Sequence, residues 1–155
     1  MKKYTPTQAL EKIRHYCAYQ ERSHLEVRNK LYEYGLYSSD VDEILMQLIT
    51  DGFLNEERFA KSFAGGKFRV KKWGKIKIVN HLEAHDISKN CIRTALKEID
   101  NDDYLKTLRS IIEQKNDSIE EENLFVKRDK ISKYAIQKGF EPDLVWKTIK
   151  EMIPN

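Results

Sequence analysis

Apolar residues return every three or four positions almost throughout this chain, a period that fits helices and excludes most other structure. Ile44, Leu45, Leu48 and Ile49 form one such stripe, Phe59, Ala60 and Phe63 another, and Leu105, Leu108, Ile111 and Ile112 a third. No segment alternates apolar and polar residues as a half-buried strand does, so the expected class is all-α. Punctuation cuts the helix into short pieces. Gly35, Gly52 and Gly139 fall where stripes stop, and glycine accepts the left-handed conformation that releases a chain from its last helical turn. Ser23-His24-Leu25-Glu26 and Ser118-Ile119-Glu120-Glu121 have the capping-box form that opens a helix, and Pro142 suits a first helical position. The acidic run Asp117 to Glu122 reads as a charged helix start. The resulting expectation is nine helices, near 7–20, 24–34, 40–51, 56–69, 74–85, 89–99, 102–115, 119–138 and 142–152.

Nine helices group as three sets of three. A shift of 51 carries Leu31 to Leu82, Leu36 to Ile87, Val41 to Ile92, Ile44 to Ala95, Leu45 to Leu96 and Leu48 to Ile99. A further shift of 53 carries Leu82 to Ala135, Ile87 to Phe140, Ile92 to Val145, Leu96 to Ile149 and Ile99 to Met152. Every landing is apolar. The turn between the second and third helix of each set is kept too, in the strings LYEYGLYSSDV, LEAHDISKNCI and AIQKGFEPDLV. A three-helix unit of about 50 residues buries little alone, so the expected architecture is three tandem repeats, 1–54, 55–99 and 100–155, stacked into an elongated monomer.

Several function classes fall away on composition. No apolar run approaches the roughly 18 to 20 residues that span a bilayer, and the opening Met1 to Pro6 leads into a polar helix, so no membrane or secretory role is expected. Cys17 and Cys91 have no metal-ligand spacing and read as reduced thiols of a cytosolic protein. Charge is more informative. Residues 1–54 carry 7 Lys/Arg against 8 Asp/Glu, 55–99 carry 11 against 5, and 100–155 carry 10 against 12. The middle set therefore holds the basicity. Between Glu57 and Glu83 there is no acid, while Arg58, Lys61, Lys67, Arg69, Lys71, Lys72, Lys75 and Lys77 are all cationic. Such a stretch attracts polyanions or an acidic protein groove.

The run Gly52-Phe53-Leu54-Asn55-Glu56-Glu57-Arg58-Phe59-Ala60, followed by Lys67-Phe68-Arg69 and Trp73-Gly74-Lys75-Ile76, resembles the central signature of the RecX regulatory proteins. Ser23, Leu25 and Lys30-Leu31 match that family's first repeat, and Lys138-Gly139-Phe140 the turn of its third. The resemblance implies three tandem three-helix repeats, loosely like helix-turn-helix units, that lie in the groove of a RecA recombinase filament on single-stranded DNA. It implies restraint of ATP hydrolysis and strand exchange, in the service of recombination and the SOS response, without catalytic residues or a cofactor. One departure stands out: where family members often have glycine closing the second repeat's middle helix, this chain has His85-Asp86. That exchange weakens the turn without abolishing it.

The candidate contact residues are therefore the eight cations of the basic stretch together with Trp73, which either packs on Phe68 and Ile76 or offers a base a stacking surface. Phe59, Phe63 and Phe68 are assigned to the core. Tyr16, Tyr19, Tyr32, Tyr34 and Tyr37 crowd the first repeat and suit a repeat boundary or an interface. Enzyme signals fail. Gly65-Gly66-Lys67 lacks the earlier glycine and the hydroxyl residue of a phosphate loop, and His81 with His85 has no third metal ligand in view. His15 and His24 have no nucleophile at a recognisable spacing. The competing expectation is a free-standing helix-turn-helix protein that binds DNA or RNA without any filament.

Overall fold

The computed structural model describes residues 3–154, so Met1 and Lys2 of the polar opening, and Asn155, lie outside the described residues. Among the described residues there are nine helices and no strand: α1 (Pro6–Tyr19), α2 (His24–Glu33), α3 (Ser38–Thr50), α4 (Glu56–Lys71), α5 (Lys75–Ala84), α6 (Lys89–Leu96), α7 (Asn101–Ser118), α8 (Leu124–Gln137) and α9 (Pro142–Met152). No helix among them is long and apolar enough to cross a membrane.

Helix starts follow their side-chain caps. Ser23 Oγ accepts from the Glu26 N–H at 3.1 Å and Glu26 returns the bond to the Ser23 N–H at 3.0 Å, the expected capping box. Thr5 and Gln8 form a second one at α1, with bonds of 3.2 and 3.0 Å, which the sequence reading missed. The box expected at Ser118 does not form. α7 continues through Ser118, whose hydroxyl donates to the Lys115 carbonyl at 2.8 Å, as a serine near a helix end does. α8 starts only after Asn123, whose side-chain oxygen accepts from the N–H groups of Phe125 and Val126 at 3.0 and 3.2 Å. The acidic run thus ends one helix and crosses a loop, and Glu121 pairs with Lys130 at 3.7 Å rather than opening α8.

The three turns between second and third helices share one geometry. The residues at 35, 86 and 139 have positive φ, 87° at Gly35, 59° at Asp86 and 103° at Gly139. Each donates its N–H to the carbonyl three residues back, at 2.9, 3.0 and 2.9 Å, and the next residue donates five back, Leu36 to Leu31, Ile87 to Leu82 and Phe140 to Ala135. The turn at His85-Asp86 is therefore intact. Aspartate tolerates the left-handed conformation because its short polar side chain bonds locally. All six of these anchoring apolar residues are buried.

The chain divides into two compact units, Met1–Ser62 with Leu82–Ala95, and Phe63–His81 with Leu96–Asn155. In the first, α1, α2 and α3 pack on one another around Ala9, Ile13 and Cys17, Val27 and Leu31, and Val41, Ile44, Leu45 and Leu48. In the second, α7, α8 and α9 pack likewise, burying Tyr104, Leu108, Ile111 and Ile112, Ile131 and Ala135, and Val145 and Ile149. The spacing of three and four within each helix is the period read from the sequence.

Candidate nucleic-acid interface

The basic stretch is built by the way α4 ends. Its first turn carries Glu56 and Glu57 and its last carries Arg69 and Lys71, so the charges complement the helix dipole at both ends. Termination comes from Lys72, which adopts a φ of 58° and donates its N–H to Phe68 O at 3.0 Å, while Trp73 N–H reaches Lys67 O at 3.2 Å. A left-handed lysine costs about 1 kcal/mol. Two ammonium groups offset it by capping the helix end: Lys72 Nζ donates to Arg69 O at 2.9 Å and Lys138 Nζ to Lys71 O at 3.2 Å.

Gly74 then fixes the approach of the chain. Its N–H donates to Lys138 O at 2.8 Å and the Ile76 N–H to Gly139 O at 2.9 Å. A Cβ at position 74 would lie 2.2 Å from the backbone C of Gly139 and from the backbone N of Phe140, so only glycine lets these two turns meet. Beside this contact, Tyr104 accepts the Lys75 N–H at 2.9 Å and donates its hydroxyl to Glu141 in a short bond. Burial, reinforced by the Glu141 bond, pushes this phenol well above its ordinary range, so it stays protonated as a donor.

Trp73 is thereby held half-buried within the second unit, its ring 4.5 Å from that of His81 and 6.3 Å from that of Phe63. Lys67 Nζ lies 5.0 Å from the Trp73 centroid and Lys77 Nζ 4.6 Å, within cation–π range. Two expected contact cations thus converge on the expected aromatic. Lys75 Nζ sits over Tyr104 at 4.6 Å. Arg69 and Lys71 are exposed, with the Arg69 guanidinium lying against Gly65.

Arg58 and Lys61 belong to the first unit and are engaged there. Arg58 Nε meets both oxygens of Glu21 at 2.5 and 2.7 Å, and its Nη2 donates to Gly52 O at 2.9 Å and Phe53 O at 3.3 Å. That geometry clamps the segment before α4. Lys61 pairs with Glu57 at 3.5 Å. Phe59 and Phe68 are buried, 5% and 6% exposed, whereas Phe63 is half-buried against Trp73 and His81. Its role and that of His81 were overlooked in the sequence, although Phe63 with Lys67 and Lys77 with His81 are both four apart and therefore share a helix face. In the first unit His85 Nδ1 lies 2.9 Å from Ser23 Oγ and 3.8 Å from Glu26. Among the described residues no group of three or more His, Cys, Asp or Glu side chains is placed to hold a metal. Of Tyr16, Tyr19, Tyr32, Tyr34 and Tyr37, Tyr19 and Tyr37 are the most exposed.

Residues 55–96 match the family model of RecX, second three-helix domain. The family this chain resembles is RecX. It is 25% identical over 151 residues to a regulatory protein RecX of Prosthecochloris aestuarii, across 95% of both chains. With a regulatory protein RecX of Bacillus thuringiensis the identity is 20% over 137 residues, which is 88% of this chain and 51% of that one, so the chain spans about half the length of the Bacillus relative. A crystal structure of RecX from Lactobacillus salivarius superposes with a TM-score of 0.84 at 22% identity, covering 95% of this chain and 96% of the other. That likeness establishes the RecX fold of three-helix sets. The matched 55–96 segment includes every cation of the basic stretch together with Trp73.

Proposed function

We propose that this chain regulates a RecA recombinase by binding its filament on single-stranded DNA, restraining ATP hydrolysis and strand exchange, and that it does so without catalysis, as a cytoplasmic protein. The observation that carries this reading is the convergence of Lys67 and Lys77 on Trp73 inside the segment that matches the RecX domain. Charge with an aromatic surface suits a polyanionic groove better than an enclosed small molecule. The repeats 1–54, 55–99 and 100–155 are read as successive contact modules along that groove.

The test adds the purified chain to its cognate recombinase on single-stranded DNA and follows ATP turnover. Turnover should fall as the chain is added. Lys67→Glu with Lys77→Glu should raise the concentration needed for half-maximal restraint about tenfold, the ~1.4 kcal/mol expected from lost charge-assisted contacts. Turnover unchanged by the parent chain at saturating concentration sinks the regulatory reading. Equal affinity for naked and recombinase-coated DNA favours the free-standing nucleic-acid-binding protein instead.

A further inference from the structure

Two adjoining depressions of the second unit share Lys72, Ile111 and Gln114 and run along α7. Lys106 with Thr107 and Ser110 lines one, and Lys115 with Ser118, Tyr134 and Lys138 lines the other. Four lysines and no carboxylate line them. Their volumes, about 270 and 220 Å³, are smaller than the roughly 300 Å³ at which pockets begin to enclose a small ligand. Something laid along the surface fits them better than something swallowed.

We propose that this groove tracks the phosphate backbone of a single-stranded nucleic acid, continuing from the basic turn at Lys72 along α7 and onto α8. The inference rests on the filament reading and assigns the third repeat a part in it. Lys106 and Lys115 are nine residues, two and a half turns, apart on one helix, which sets them about 14 Å apart along its axis and on opposite flanks of the groove. At a rise of about 3.4 Å per nucleotide that length passes about four phosphates of a stacked strand, and fewer of an extended one. Between the two lysines stand neutral hydrogen-bonding groups, Thr107, Ser110 and Gln114, which contact phosphate oxygens without reading sequence. Lys115 Nζ lies 4.4 Å from the centroid of Tyr134, a ring 38% exposed, so the groove also offers an aromatic surface at its far end. Lysines on both flanks of a strip of neutral hydrogen-bonding groups, with the Tyr134 ring beside them, suit a strand whose phosphates pass between the two flanks and whose bases need an aromatic surface.

The test measures fluorescence anisotropy of a labelled (dT)20 strand with the whole chain across 50 to 300 mM salt. Lys106→Gln with Lys115→Gln keeps helix propensity and avoids Lys72 and Lys138, whose ammonium groups cap α4. Two lost phosphate contacts should make the log–log salt slope shallower by about 1.4 and weaken binding about 25-fold at 0.1 M salt. Lys12→Gln with Lys89→Gln, an equal change of net charge in the first unit, should leave the slope unchanged, and urea melts of all three proteins should coincide. An unchanged slope in the α7 variant, or an equal loss in both variants, overturns the proposal. So does a parent chain that fails to bind (dT)20 at 50 mM salt; if the α7 variant then still loses its effect on recombinase, the groove faces an acidic protein surface. Binding to (dT)20 through α7 by a chain that leaves recombinase turnover untouched supports the groove and refutes the filament reading, so the two fail separately.

Discussion

Alanine at position 74 should be among the costliest small substitutions in the protein, and alanine at position 66 should be favourable. The added Cβ at Gly74 meets backbone atoms of Gly139 and Phe140 at 2.2 Å, and backbone cannot swing aside as a side chain can. To relieve the overlap the two turns must part, breaking the bonds from Gly74 N–H to Lys138 O and from Ile76 N–H to Gly139 O. Two backbone bonds are worth about 1 kcal/mol each, and overpacking adds about 1–3 kcal/mol, for a total near 4 kcal/mol. At a urea dependence of about 2 kcal/mol per molar, the midpoint should fall by about 2 M, and the melting temperature by roughly 8–16 °C. Gly66, in the middle of α4, is the control: a Cβ there meets nothing within 4 Å, so alanine should gain the helix-propensity difference of about 1 kcal/mol and raise the midpoint by about 0.5 M. Urea melts followed by far-ultraviolet circular dichroism decide both. A Gly74→Ala midpoint within about 0.5 M of the parent's would show that the approach of these turns is not tight and that something other than their contact holds Trp73 in place.

The left-handed turn at Asp86 predicts an inverted preference: Asp86→Gly should stabilise by about 0.5 kcal/mol and Asp86→Ala destabilise by about 1 kcal/mol, and coincident melts for the two would contradict a positive φ there. Burial pushes the Cys17 thiol up to about 11, so at pH 8 it should alkylate about 100-fold more slowly than a thiol of ordinary pKa 9, measured by mass spectrometry after iodoacetamide. Because the folded state holds this thiol neutral, the stability it confers is complete below pH 9 and is lost as pH rises through 9 towards 11; Cys17→Ala should therefore flatten the alkaline fall of the urea midpoint, and parallel curves would refute the assignment.

Most of the fold is legible in the sequence because its punctuation is local. Gly35, Gly52 and Gly139 each take positive φ at a helix end, and Pro142 stands at the first position of α9. Reading failed where two local signals competed. Ser118 has a glutamate three residues on, as a capping serine should, but α7 runs on through it, and its hydroxyl turns back to Lys115 O beside the Ile119 N–H, so it is not free to cap a following helix. The site divides in the same way. A run of cations in one segment is visible as a run, and Lys67, Lys77 and Trp73 do come together. The α7 groove is not visible, since its lysines come from three separate helix regions and the stretch 100–155 carries 10 basic against 12 acidic residues. Net charge over a segment conceals how a helix sorts its signs between faces.

One docking rule operates twice, and it explains why the units of packing differ from the units of sequence. Ser23 and Gly74 are 51 apart and each stands immediately before the middle helix of its set, α2 and α5. Ser23 Oγ meets His85 at 2.9 Å, and Gly74 N–H meets Lys138 at 2.8 Å. His85 and Lys138 are 53 apart, the second repeat shift, and each is the residue before the left-handed turn of the following set. The start of a middle helix therefore docks on the turn of the next set, once inside each compact unit. The partners differ in chemistry because the steps differ in space: Ser23 is fully buried and reaches a side chain, whereas Gly74 has no side chain and brings backbone to backbone. The helices of the middle set are accordingly shared out, residues 82–95 to the first unit and 63–81 to the second, and the unit boundaries after Ser62, His81 and Ala95 fall inside α4, α5 and α6.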